Sequence, residues 1–314
     1  MTYDKLVLVT RKTRLQQLIA RFGSRGQAKF YLEHAGRDFT DYQREDDAYA
    51  RATDQVRRAL DGALRLQTID RAIVPTFLFA PGDAVITLGQ DGLVANVAKY
   101  AGERPIIAIN PDPDRFDGVL LPFAPRQAAA AVEHLVAGRA ALRATTLAEA
   151  QLADGQRLLA FNDLFVGARS HVSARYTLRA RTAAETQSSS GVLIATGAGS
   201  TGWLSSMFNM AAGLAAFTGG AAGTPLRLGW EDPRLVYVVR EPFASRHSQC
   251  SLVAGVIAPG ETLELASLMP SGGVIFSDGV EADALAFDSG AVARIAVAAQ
   301  RARLVVGARP ASGR

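Results

Sequence analysis

Two runs that are almost wholly apolar, "AVITLG" from Ala84 and "PIIAIN" from Pro105, bracket one helix-length segment, "LVANVAKYAG", and this unit constrains the fold more than any other feature of the chain. A strand apolar at every position must be covered on both faces, which happens in parallel sheets flanked by helices. Two such strands joined through a helix form a right-handed βαβ crossover. The preceding sequence continues the alternation. "KLVLVT" is a short apolar strand, and "RLQQLIARF" and "QAKFYLEHA" carry apolar residues at helical spacing. "TDYQREDDAYARATDQVRRALDG" offers an N-cap at Thr40 or Asp41, places Tyr42, Tyr49, Val56 and Leu60 on one helical face, and stops at Gly62. The first part of the chain is therefore expected to be a Rossmann-like α/β domain.

After "PRQAAAAVEHLVAGRA", a helix with proline at its start and glycine near its end, the character changes. From about Leu142 the segments are short and strand-like: "QRLLAFNDLFVG", "ARYTLRAR", "GVLIAT", "RLVYVVREPF", "SLVAGVIAPGETLELAS" and "GGVIFSDGVEADALAF". Pro259-Gly260 and Asp278-Gly279 are hairpin signals. The expected division is an α/β domain over residues 1–124 and a β-rich, sandwich-like domain over 125–314. The terminal "ARIAVAAQRARLVVG" either closes the second domain or returns to the first.

Composition narrows the function classes. In 314 residues, 34 Lys plus Arg against 30 Asp plus Glu leave a net charge of only +4, and no basic block is interleaved with aromatics, which argues against a nucleic-acid partner. Cys250 stands alone, so no intramolecular disulfide and no all-cysteine metal site can form. A reducing compartment, the cytoplasm, is expected. The opening "MTYDKLVLVT" brings in charge early and does not read as a signal peptide. Between Thr186 and Leu226 no residue is charged. That stretch is long enough for a bilayer but rich in Gly, Ser and Thr, so a buried strand, turn and helix is expected and no membrane partner.

Three turns carry the candidate chemistry. The first apolar strand ends in Gly89-Gln90-Asp91-Gly92. Glycines there let backbone approach phosphate oxygens, and the helix that follows offers free N–H groups. Asp91 is either the cap of that helix or a base positioned for a hydroxyl. In "GVLIATGAGSTGW", Gly197, Gly199 and Gly202 form a G-x-G-x-x-G. A dinucleotide fingerprint requires an acid ~20 residues further on, whereas the first acid is Glu231, and the turn lies in the β-rich half; a dehydrogenase is not indicated. Gly199, Ser200 and Thr201 either hold phosphate or ribose groups or serve tight packing. Asn162-Asp163, two polar groups in an apolar run, either face a base edge or ribose or mark a bulge or strand-end turn.

Taken in order, "LGQDGL", "FNDLF", "GAGSTGW" and "FSDGV" resemble the motifs of the NAD kinase family, in the superfamily that includes the diacylglycerol kinases. The family pattern is a strand ending in Gly-Gly-Asp-Gly-Thr, an Asn-Glu pair, Thr-Gly-Ser-Thr-Ala-Tyr, and a late Asp-Gly hairpin; the likeness runs from about Val85 to Ala296. The resemblance implies transfer of the γ-phosphoryl of ATP, with Mg²⁺, to the 2′-hydroxyl of the adenosine ribose of NAD, giving NADP. It implies Asp91 as the catalytic acid position, Gly89 and Gly92 beside phosphates, Asn162 and Asp163 on NAD, and Gly199, Ser200 and Thr201 at the nucleotide. It also implies a homo-oligomer, and no metal-ligating side chain is singled out.

The chain departs from that pattern. Gln90 replaces a glycine, Leu93 a threonine, Asp163 a glutamate and Trp203 a tyrosine, and "IAINPDPDRFDGVLLPF" stands where the family has a Gly-rich "LGFL" segment. These departures define the alternatives: a non-catalytic nucleotide-binding sensor or regulator on the same fold, or a kinase with a different small-molecule acceptor.

Overall fold

A computed structural model describes residues 2–221 and 223–308. They form two compact units, one running to Arg143 and resuming at Arg303, the other comprising Ala144–Ala302. The sequence suggested a change near Pro125. The division comes later because the helix after Pro125 packs on the first unit's sheet.

In the first unit the order is β1 (Lys5–Thr10), α1 (Arg14–Phe22), α2 (Arg25–His34), α3 (Phe39–Leu60), β2 (Arg65–Asp70), β3 (Asp83–Leu88), α4 (Asp91–Ala98), β4 (Pro105–Ile109) and α5 (Ala128–Val136). The strands lie parallel in the order β2-β1-β3-β4. The chain's last strand joins β4 in parallel, with Leu304 opposite Ile106. Leu6, Leu8, Ile86 and Ile107 pack against Tyr49, Val56 and Leu60 of α3 and Val132 and Leu135 of α5. β3 and β4 are buried along their whole length, as their unbroken apolar character requires.

Two local readings change. The cap of α3 is Asp38, whose carboxylate accepts the Thr40 N–H at 2.8 Å, in place of Thr40 or Asp41. Asp38 sits two residues before the donor, where a cap must stand. β2 gave no sequence signal, since it is an edge strand largely exposed to solvent and carries polar residues.

β5 (Ala140–Leu152) leads into the second unit, which holds β6 (Arg157–Ala160), β7 (Asp163–Ala168), β8 (Ala174–Ala180), β9 (Ala183–Ser189), β10 (Val192–Ala195), α6 (Trp203–Phe217), β11 (Leu235–Val239), β12 (Ala254–Ile257), β13 (Leu263–Ser267), β14 (Gly273–Ser277) and β15 (Val280–Ala286); β16 (Val292–Ala308) then carries the chain back to the first unit. An antiparallel sheet in the order β12-β11-β10-β7-β14-β15 is packed against strands that include β8, β13 and β16. Leu164, Val166, Ile194 and Ile275 meet Tyr176, Leu178, Leu265 and Ile295 in the sandwich core. The alternate residues Leu193 and Ala195 face outward and are covered by Leu204 and Met207 of α6.

The uncharged stretch thus becomes the end of β9, β10, a turn and α6. No helix among the described residues is long and apolar enough to cross a membrane. Asp278 and Gly279, with φ of 53° and 67°, form the hairpin between β14 and β15 that the Asp-Gly pair indicated. Pro259-Gly260 does make a turn, closed by the Glu261 N–H on the Ala258 carbonyl at 2.9 Å, but it is not a hairpin. β12 pairs with β11, and β13 with β8 and β16, so this turn passes from one sheet to the other.

Candidate functional site

In the first unit the site begins where β3 gives way to α4. Gly89 donates its N–H to the Ile109 carbonyl at 3.2 Å, and a Cβ on it would stand 2.8 Å from the Leu93 side chain. Leu93, which replaces the family threonine, crowds position 89, so a larger residue there would require the Leu93 side chain to shift. At Gly92 the situation is opposite: an added Cβ would meet no atom within 4 Å. Gln90 is the N-cap residue of α4 and makes no side-chain capping bond, so the first amides of the helix are left without a side-chain acceptor there.

Asp91 is the first helical residue and does not cap. Its carboxylate reaches across to accept the N–H groups of Leu120 at 2.9 Å and Val119 at 3.2 Å. Those amides belong to the segment that replaces the family's Gly-rich one. The segment is shaped by Asn110, which donates to the Phe116 carbonyl and accepts from the Asp112 amide, and by Gly118 at φ 60°. Arg115 pins it to Asp41 at 2.8 Å. Asp91 is therefore fixed in orientation by two backbone donors, a role that neither sequence alternative had identified.

The ends of β1 and β3 are tied together from below. The Tyr49 hydroxyl donates to the Leu88 carbonyl and accepts the Arg11 N–H, both at 2.9 Å. Arg11 lies over the Tyr49 ring and reaches Glu45 at 3.1 Å, while its Nε is buried without a hydrogen-bond partner among the described residues. Burial works against ionising Glu45, but hydrogen bonds from Arg14 and Arg11 overcome it and hold the carboxyl below its ordinary range. Sequence reasoning missed Arg11 and Glu45; the only signal was a cation directly following β1.

The second unit gathers Asn162, Asp163 and Gly199. Asp278 lays its carboxylate across three successive amides, those of Phe161 at 2.9 Å, Asn162 at 2.6 Å and Asp163 at 3.3 Å. Thr196 donates its hydroxyl to the Phe161 carbonyl at 2.6 Å and accepts the Gly199 amide at 3.2 Å. Gly199 runs so close to this corner that a Cβ would fall 2.1 Å from the Asn162 carbonyl oxygen. Asn162 and Asp163 thus form a turn between β6 and β7, braced by Asp278. The Asp163 carboxyl is buried, receives no hydrogen bond from the described residues, and is pushed up to about 7 by burial and then by the nearby Asp278 charge.

The remaining predicted residues divide. The Ser200 hydroxyl is buried, 2.8 Å from the Gly197 carbonyl and 3.1 Å from that of Leu228, so it braces the turn from inside and is not displayed on its surface. Thr201 is exposed. Trp203 stacks on Phe165 with centroids 5.6 Å apart and planes 12° from parallel, and the Arg240 guanidinium lies 5.2 Å from its ring. Phe165 and Arg240 were not singled out from sequence, because stacking partners on β7 and after β11 have no spacing to betray them.

No family model matches the chain. It is similar to two solved structures over nearly its full length: yeast NADH kinase complexed with NADH (TM-score 0.56, 17% identity, 97% of this chain and 84% of that one) and an NAD kinase from Archaeoglobus fulgidus in complex with ATP (TM-score 0.52, 16% identity, 96% and 93%). The chain has an NAD kinase-like fold. A curated NAD kinase from Chlorobaculum tepidum is 29% identical over 124 residues, which span 38% of this chain and 43%, less than half, of that relative. The family resemblance read from the motifs is borne out. The NAD kinase-like fold also accounts for the order of parts, a parallel α/β unit with a β-sandwich following it.

Proposed function

We propose that this chain is a kinase acting on NAD or NADH, transferring the γ-phosphoryl of ATP to the 2′-hydroxyl of the adenosine ribose. The observation that carries the reading is Asp91, held by two backbone amides at the carboxyl end of a parallel strand, between a glycine and an uncapped helix start. Open α/β sheets place ligands at that end. In this reading Asp91 takes the proton of the attacking hydroxyl, and Gly92 and the α4 amides receive phosphate oxygens. Asn162 and Asp163 hold NAD, and Gly199, Ser200 and Thr201 shape the nucleotide site, Ser200 through the turn it braces. Below about pH 7 the buried Asp163 carboxyl keeps its proton, which lets it donate a hydrogen bond to a ligand oxygen.

Among the described residues no three His, Cys, Asp or Glu side chains gather to hold a metal ion. Mg²⁺ accordingly enters this reading as part of the substrate, MgATP, since magnesium binds largely through phosphates and water. The proposal includes a homo-oligomer in a reducing, cytoplasmic setting, as the family resemblance and the lone Cys250 imply.

A second reading rests on Leu93 and on the amides already bound to Asp91: a nucleotide-binding regulator in which Asp91 organises the 110–120 segment and does no chemistry. The test is NADP formation from NAD, MgATP and protein, alongside Asp91→Asn, which keeps an acceptor for one of the two amides but is no base. Product from the parent with at least a hundredfold loss in the variant supports the kinase. Full turnover in Asp91→Asn removes Asp91 from the chemistry, and saturable nucleotide binding with no product favours the regulator.

A further inference from the structure

The three helices that follow β1 enclose an open cleft of about 580 Å³, lined by Arg14, Arg21, Arg37, Tyr31, Tyr42 and Leu18 among others. Its lining holds three guanidinium groups and no carboxylate. Arg14 is compensated, by Asp41 and Glu45, and stacks over the Tyr42 ring at 4.3 Å. Arg21 and Arg37 are different. Neither has an acidic partner among the described residues, and the Arg21 guanidinium lies over the Phe22 ring, at 5.1 Å. Tyr31 packs one face on Phe22, with centroids 4.5 Å apart, and remains 43% exposed.

Two uncompensated guanidiniums converging on a concavity of small-molecule size make a site for a multivalent oxyanion, because their planar forks match phosphate oxygens two at a time. An exposed tyrosine beside them adds a surface on which a planar ring can stack. We infer that the α1–α2–α3 cleft is a binding site for a nucleotide, its phosphates on Arg21 and Arg37 and its base against Tyr31. The site lies on elements other than the β3–α4 turn and does not depend on the kinase reading.

The test uses the full chain and follows hydrogen exchange of residues 14–42 as ADP or pyrophosphate is titrated, with residues 89–98 monitored separately. ADP is expected to protect 14–42, and Arg21→Ala/Arg37→Ala to weaken that protection roughly tenfold or more. Arg44→Ala/Arg51→Ala removes two exposed arginines outside the lining and is expected to change nothing there. Pyrophosphate is expected to bind the same segment roughly fivefold or more weakly than ADP, for want of a base. Absence of protection at 14–42, or equal losses in the two double variants, would overturn the site. Equal affinities for ADP and pyrophosphate would overturn its assignment to a nucleotide. Protection confined to 89–98 would leave the kinase reading standing and sink this one.

Discussion

Asp278 and Asp163 clasp each other through the backbone: the Asp278 N–H donates to the Asp163 carbonyl at 3.0 Å, and the Asp278 carboxylate accepts the Asp163 N–H at 3.3 Å. Two acids are thereby held together, but in unequal circumstances. Asp278 has three amides to stabilise its charge, whereas Asp163 is buried with none. The low-dielectric corner resolves this by keeping the proton on Asp163 until the pH reaches about 7.

The consequence for stability has a definite sign. A carboxyl raised from 3.8 to about 7 on folding favours the native state below pH 3.8, and that contribution is lost as pH rises through about 7. The ionised form therefore costs up to about 4 kcal/mol. Asp163→Asn, neutral at every pH, is expected to match the parent near pH 3.5, to pull ahead of it as pH rises from there, and to exceed its melting temperature most at pH 8. Melting curves across that range check it; a pH-independent difference would mean that Asp163 does not titrate in the window.

Asp278 itself is expected to be far less replaceable. Asp278→Ala leaves three amides without their acceptor and places alanine at φ 53°, so a loss of about 3 kcal/mol or more is expected. Asp278→Asn tolerates the left-handed backbone and keeps an acceptor oxygen, so its loss should be smaller by about half. Urea denaturation of the two variants compares them directly. Equal losses would assign the effect to charge alone.

How far the sequence reveals this depends on the range of the interaction. The apolar runs of β3 and β4 announced buried parallel strands, and Asp278-Gly279 announced its hairpin, because burial and turn geometry are written in neighbouring residues. Asp91 was legible as a special position, but its partners, the amides of Val119 and Leu120, have no identity that a sequence displays. Ser200 shows the same limit from the other side. A hydroxyl in a glycine-rich turn suggests a ligand, yet the turn folds with that hydroxyl inward on Gly197 and Leu228. β2 went unread because an exposed edge strand lacks the apolar pattern by which strands are recognised.

At the other end of the pH scale Glu45 acts in the first unit. Its carboxyl is depressed below 4.5 by Arg14 and Arg11 despite burial, so its contribution is present above pH 4.5 and lost as pH falls through the depressed value. Glu45→Gln takes the charge partner from Arg11 and one of the two from Arg14, which keeps Asp41. A loss of about 3 kcal/mol is expected at pH 7, shrinking as the parent is acidified. Denaturation midpoints at pH 7 and pH 3.5 check it, and an undiminished difference at pH 3.5 would show that the ion pairs are not the source.

The glycines separate folding from ligand approach. Gly199→Ala would drive a Cβ to 2.1 Å from the Asn162 carbonyl, against rigid backbone, so a loss of several kcal/mol or failure to fold is expected, roughly the upper range for single substitutions. Gly92→Ala meets no protein atom, lies in the first turn of α4, and replaces the poorer helix former with the better. It is expected to hold or gain up to about 1 kcal/mol of stability. Its open side is where phosphate oxygens would come against the backbone, so ATP affinity at this turn should fall by an order of magnitude or more while the fold is intact. Thermal melts and nucleotide titrations on the same two proteins decide the matter. A Gly92→Ala variant that is stable and binds ATP as the parent does would mean that the open space beside α4 is not a phosphate site, whatever Asp91 does next to it.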